Sequence, residues 1–284
     1  MNIGIIGAGK MGYTLGKHFS LSHNPDINLV GYYSKNINSA IDAAEFTDSE
    51  FFDNIESIVQ QSDIIFLTVP DGEIKGVVDI IENVSSASKE KIICHTSGAL
   101  SSKEIKDNIS NVYLFSVHPI YAVNSKYESY IKFKDAFITI EGDVEYIQTI
   151  KDIFVSLGHN VKVISANDKV KYHSAAVFSS NLVIGLYHMA EELLKQCGFD
   201  EDEVELALKP LFINNANKIN ETDCASALTG PVERCDICTI SKHMSVLDDY
   251  YLDVYRLLSR ELVKIATNKN PNKNYDSVDK VLKL

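Results

Sequence analysis

Met1-Asn2-Ile3-Gly4-Ile5-Ile6-Gly7-Ala8-Gly9-Lys10-Met11-Gly12 decides how the rest of this 284-residue chain is read. An apolar run carrying Ile3, Ile5 and Ile6 breaks into three glycines and passes into a helical pattern with Thr14, Leu15 and Phe19. Between a strand and a helix, glycines at this spacing have separate jobs. Gly7 permits the tight turn, Gly9 lets the backbone approach a pyrophosphate, and Gly12 lets the helix pack close. The helix N-terminus then presents unpaired N–H groups and a partial positive charge to phosphates. Gly7, Ala8, Gly9, Lys10, Met11 and Gly12 are therefore the expected dinucleotide-binding loop.

The second strand, Ile27 to Tyr33, selects the nucleotide. An NAD site usually carries an acid about 20 residues beyond the glycines, on the ribose 2′-hydroxyl. No acid lies between Asn28 and Ile41; Ser34, Lys35 and Asn36 stand there instead. They offer a hydroxyl, an ammonium and an amide to a 2′-phosphate. A charge-assisted contact contributes about 1.5–3 kcal/mol, so NADP is the expected cofactor, with NAD still admitted.

Composition suits a soluble, cytoplasmic enzyme. The net charge of −12 argues against a nucleic-acid or anionic-membrane surface. No apolar run is long enough to span a bilayer, and Met1 leads directly into a core strand, so no signal peptide is expected. The odd cysteine count (Cys94, Cys197, Cys224, Cys235, Cys238) points to free thiols. Cys235-x-x-Cys238 has metal or redox spacing, yet it lacks both a second pair and a preceding strand, and no metal is expected.

Strands continue at Asp63–Pro70, Lys91–His95, Val112–Ser116, Ala136–Ile140 and Asn160–Ile164, with a helical pattern over Val144–Leu157. This alternation predicts an α/β, doubly wound, mostly parallel sheet over residues 1–165. Ligands of such sheets bind beyond the carboxyl ends of the strands. That rule gathers Val69, Pro70, Ser97 and His118 around one crevice. Residues 166–284 read as an all-α substrate and dimerisation domain. The spacing predicts one helix over Asp168–Cys197, apolar on nearly every face and so buried all round, with a second subunit as its cover. Further helices are expected over Glu201–Asn220 and Asp248–Lys269, with Pro231 opening a short one. The tail from Asn268 to Asn274 reads as loose.

Several motifs carry a family resemblance: Gly7–Gly12, Val69-Pro70-Asp71, His95–Ala99, His118-Pro119, Tyr172–Asn181, and Ala227–Pro231 with Arg234. The chain resembles the group containing pyrroline-5-carboxylate reductase, ketopantoate reductase and related NADP oxidoreductases. Its likeness is closest to bacterial proteins that join a Rossmann-like domain to a domain of unknown function. The resemblance implies an NADP-binding domain, an all-α C-terminal domain and a homodimer, and it supplies no substrate. The chain departs from these proteins at Cys235, where they usually have glycine. If that glycine served close backbone approach, a side chain here would narrow the pocket or shift Arg234. Related hydroxyacid dehydrogenases place a catalytic lysine one helical turn before an asparagine. One turn before Asn181 lies Val177, so their mechanism does not transfer.

A hydride transfer to C=O or C=N needs a proton donor within hydrogen-bond reach. His173 is the first candidate, with Asn181 about two turns further along the expected helix; a core histidine bonded to a carbonyl is its alternative. His118, restricted by Pro119, is the second candidate. Ser97 reads as a cofactor or substrate contact or as a turn cap. Arg234 would hold a substrate carboxylate or pair with Asp236, and Asn181 would orient substrate or fill a polar gap. The expected function is an NADP-dependent reductase of a small carbonyl or imine compound held between the two domains. The alternative is a non-catalytic NADP sensor acting through a partner.

Overall fold

In a computed structural model, which describes residues 1–85, 90–105 and 112–283, the chain forms two units, Met1–Asn181 and Leu182–Leu284. The first unit runs β1 (Asn2–Ile6), α1 (Lys10–Ser20), β2 (Asn28–Tyr33), α2 (Ile37–Thr47), β3 (Glu50–Phe52), α3 (Ile55–Gln61), β4 (Ile64–Leu67) and α4 (Asp71–Ser85). It continues with β5 (Lys91–His95), α5 (Ser102–Ile105), β6 (Val112–Ile120), β7 (Phe137–Gly142), α6 (Ile147–Ser156), β8 (Val161–Val163) and α7 (Lys169–Phe178). The sheet order is β3-β2-β1-β4-β5-β6-β7-β8. Every pairing is parallel except β6 with β7. The order reverses direction at β1, and this switch point opens the crevice in which such sheets bind nucleotides.

The strands are apolar on both faces because helices cover both. Ile64 and Phe66 of β4 join Leu15 and Phe19 of α1 and Phe154 of α6 on one side. Ile65 and Leu67, one residue out of step, join Ile58, Val59, Ile74 and Val78 on the other. A two-residue period with both phases apolar is the mark of a strand buried on both faces. Between β6 and β7 no α-helix crosses the sheet. Instead a 3-10 turn at Ser129–Asp135 packs beside α1, and β7 returns antiparallel.

The second unit holds α8, which opens at the boundary (Asn181–Gln196), then α9 (Glu201–Glu221), α10 (Cys224–Ala227), α11 (Pro231–Arg234), α12 (Ile237–Met244), α13 (Asp249–Lys269) and α14 (Asp276–Val281). Its core is formed by Leu228, Val232, Ile240, Val263, Ala266, Tyr275, Val278 and Leu282. A capping box between Asp200 and Glu203 starts α9, and Pro231 occupies the first turn of α11.

Three expectations are corrected. The single helix over Asp168–Cys197 is two helices, α7 and α8. The Ser179 and Ser180 hydroxyls both bond back to the Ala176 carbonyl, at 3.2 and 2.6 Å, and compete with the helical ladder. The single chain does not itself cover these helices: Lys169 is the buried residue of α7, none of α8 is buried, and Phe178 is 66% and Ile184 69% exposed. The units divide after Asn181 and not after Ser165, because α7 roots Lys169 inside the first unit. The tail is not loose, since Asn270, Lys273 and Tyr275 all bond Glu233 before α14 forms.

Candidate active site

The glycine loop is built as its spacing requires. Gly7 has φ +110°, which favours glycine, and its N–H donates to the Tyr33 carbonyl at 2.8 Å. Thr68 donates its hydroxyl to the Gly7 carbonyl at 2.6 Å and so fastens the end of β1 to the end of β4. A Cβ on Gly7 would lie 2.7 Å from the Thr68 carbonyl oxygen, and one on Gly12 would lie 2.2 Å from the Gly7 carbonyl oxygen. Gly9 differs: the nearest atom to its Cβ position is 4.0 Å away. The protein fills the space around the first and third glycines and leaves it open at the second, where a pyrophosphate would lie. Gly9 also caps α1 without a side-chain bond, so the amides of the first turn, at Lys10 and Met11, have no side-chain acceptor there. The site fits a dinucleotide.

Beside the loop lies a cavity of about 640 Å³. Gly7, Ala8, Gly9, Ser34, Lys35, Val69 and Pro70 line it, as expected, over a floor that includes Ile55, Val77 and Ile80. Asn36 stands just outside as the N-cap of α2, its carboxamide oxygen accepting the Asn38 N–H at 3.1 Å. Glu73, which the sequence reading did not single out, also faces the cavity and pairs with Lys35. It comes from α4, a different strand-to-helix unit from the end of β2, so no spacing rule pointed to it.

The second part of the site lies at the ends of β5 and β6. Ser97 donates to Asp71 at 2.7 Å, and its hydroxyl accepts the Leu100 N–H at 3.0 Å. It is therefore both a turn cap and a group held toward the start of α4. Gly98 lets two imidazoles converge: a Cβ there would lie 2.2 Å from His173 Nδ1 and 2.9 Å from His118 Nε2. His118 Nδ1 meets the Tyr172 hydroxyl at 2.7 Å, and the rings of His118 and His173 stand edge to face with centroids 5.4 Å apart. Among the described residues none bonds Nε2 of either ring, and His173 Nδ1 is buried without a partner. Burial, the neighbouring His173 and the charge of Lys169 push the His118 pKa down to about 4. Burial, with Lys169 and His118, lowers His95 to about 3. His95 Nδ1 accepts the Ser97 N–H at 3.3 Å, which leaves its Nε2 buried and unpartnered.

Ser97, His118 and His173 thus meet at one place, and Lys169, Tyr172 and Gly98 complete it. Lys169, Tyr172 and His173 share one face of α7 by the three- and four-residue spacing of a helix. That spacing, which sets Lys169 one helical turn before His173, was the available signal for Lys169. Asn181 opens α8 beyond the Ser179-Ser180 break, so the two-turn alignment with His173 does not hold. Arg234 ends α11 in the second unit, exposed, with its charge lowering the Asp236 pKa after the bonds from Thr239. Cys235 has φ +60°, ψ +36° and caps α11 in the left-handed region. A glycine there answers a backbone need, which replaces the expected close approach to a ligand.

Among the described residues no helix is long and apolar enough to cross a membrane. Residues 1–112 match a Rossmann-like domain, and residues 136–262 match a domain of unknown function, DUF2520. No curated protein matches the sequence. Among solved structures, a Bacteroides fragilis protein assigned as an NADP oxidoreductase is 24% identical with TM-score 0.69, over 93% of this chain and 98% of that one. A Thermotoga maritima protein is 23% identical with TM-score 0.71, over 94% and 99%. Pyrroline carboxylate reductase from Plasmodium falciparum, solved with NADP bound, is 14% identical with TM-score 0.56, over 100% and 98%. At these identities the likeness is one of fold.

Proposed function

We propose that this chain, which joins a Rossmann-like domain to a DUF2520 domain, is an NADP-dependent oxidoreductase that reduces a small carbonyl or imine compound. One observation carries the reading: the only uncrowded glycine of the loop opens beside a cavity, while two imidazoles converge at the neighbouring strand ends of the same sheet. Bound NADPH would lie with its pyrophosphate on Gly7–Gly12 and its ribose toward Ser34 and Lys35, and its nicotinamide would supply a hydride. With Tyr172 donating to Nδ1, His118 carries its proton on Nε2, and as a neutral imidazole it hydrogen-bonds the substrate oxygen or nitrogen. His173 gives that heteroatom its proton once the carbon has taken the hydride. Ser97 holds the carboxamide end of the cofactor or the substrate, with Asn181 as a further substrate contact.

Magnitudes favour NADP over NAD. The Lys35–Glu73 pair is exposed (77% and 47% at the side chains), and such pairs contribute about 0–1 kcal/mol. A lysine–phosphate contact contributes about 1.5–3 kcal/mol, so a 2′-phosphate displaces Glu73 with about tenfold preference to spare. Lys35→Ala is expected to weaken NADPH about tenfold and NADH little, and Glu73→Gln to strengthen NADPH severalfold, both by calorimetry. Equal changes for the two nucleotides would refute the assignment.

The direct test is NADPH oxidation against a panel of small keto acids, aldehydes and cyclic imines. His118→Ala and His173→Ala should each lower kcat by about 10²-fold or more while nucleotide affinity holds. Nucleotide binding without turnover of any compound would favour the sensor alternative. The same reading includes a homodimer. Of α8 and α9 only Val204 is buried, while Leu182, Ile184, Leu206 and Leu211 are exposed. Sedimentation should find two chains at micromolar concentration, and a monomer would remove this part. The free cysteines suit a reducing, cytoplasmic setting.

A further inference from the structure

Lys169 is 1% exposed, and its ammonium donates to the Ser97 carbonyl at 3.0 Å and to the Ser116 hydroxyl. Ser116 in turn donates to the same carbonyl at 3.1 Å. Two features oppose a cation at this position. Burial strips its water, and the first turn of a helix, where the macrodipole is positive, disfavours it. Among the described residues no carboxylate makes an ion pair with it. The acids around it are each held by a serine: Glu141 of β7 by Ser102, Glu104 of α5 by Ser101, and Asp71 of α4 by Ser97. The remaining groups that face it are His95 of β5 and His118 of β6. A methionine would fill the same space without these penalties, so the charge itself has a task.

We propose that Lys169 is a positioning residue whose ammonium clamps the Ser97–Gly98 turn to β6 and keeps the facing imidazoles uncharged, so that His118 meets substrate as a hydrogen-bond donor. The geometry supplies both halves. The clamp fixes the peptide next to Gly98, on which His118 and His173 converge. The buried positive charge also stands in low dielectric, where repulsion of a second cation is strong. The inference rests on the reductase reading for its purpose but not for its test.

The test is histidine-labelled NMR of the full chain, with Lys169→Met and Lys169→Arg. In Lys169→Met the His118 titration midpoint should rise by about half a pH unit or more, and Lys169→Arg should restore the wild-type midpoint. NADPH affinity should stay within about twofold in both, while kcat falls in the methionine variant alone. An unchanged His118 midpoint in Lys169→Met overturns the proposal, whatever the activity screen finds. If that variant does not fold, the wild-type titration decides. Burial lowers the Lys169 pKa to about 8, so the His118 resonance should show a second inflection near that pH. A single inflection would sink the idea. Failure of the whole panel of substrates would count against the reductase reading and leave these measurements intact.

Discussion

At Gly98 a single methyl group decides whether two histidines share a site. Gly98→Ala would place a carbon 2.2 Å from His173 Nδ1, and the atom it meets belongs to a side chain that can turn away. The variant should therefore fold, with a loss of about 1–3 kcal/mol, while turnover collapses far more than nucleotide affinity. Kinetics beside a calorimetric Kd checks this, and proportional losses in both would count against the convergence of the imidazoles. Cys235 makes the opposite case. Its left-handed backbone costs a side chain about 1–2 kcal/mol relative to glycine, offset in part by its packing against the Leu228–Val232 core. Cys235→Gly should raise unfolding free energy by about 0.5–1 kcal/mol without altering nucleotide binding. No gain in a urea melt would mean that packing outweighs strain.

Among elements, the loop between β1 and α1 separates structural from ligand-facing glycines. Gly9→Ala should leave Tm within a degree or two and weaken NADPH at least tenfold, because the added carbon meets only the space a pyrophosphate would use. Gly12→Ala, 2.2 Å from the Gly7 carbonyl, should lower Tm as well. Thermal melts with and without NADPH distinguish them. This loop was fully legible in sequence, because strand, turn and helix each carry a local signature there. The strands were legible for the same reason, apart from β3, three residues too short to show a period. The break at Ser179-Ser180 was not: apolar residues on both sides of Ser179-Ser180-Asn181 read as one long helix, and the hydroxyls bonding back to Ala176 reveal the end of α7. Glu73 was hidden for a different reason, since a contact between distant segments has no spacing to read.

Across the whole molecule, buried neutral histidines set the acid limit of stability. His18, packed on His159, is held to about 4 by burial and by that neighbour, His118 is also near 4, and His95 is near 3. Each folded value is below the unfolded value of about 6.5, so the unfolded chain binds more protons as pH falls between them. Stability should thus be intact above about pH 6.5 and fall progressively toward pH 4, by on the order of 2 kcal/mol per histidine at pH 5. Lys169 acts over a separate range: its depressed value means stability recovers as pH rises from about 8 toward 10.5. Urea midpoints at pH 7 and 5 test the first claim, and equal midpoints would contradict it. At this scale the two-part organisation was readable from the change of pattern after Ser165, but the boundary was not, because the fate of α7 depends on where one lysine is rooted. That rooting has a practical corollary. Because the glycine turn, the paired imidazoles and the hidden ammonium all lie ahead of Leu182, substitutions confined to the downstream helices should leave His118 and Lys169 in their present surroundings.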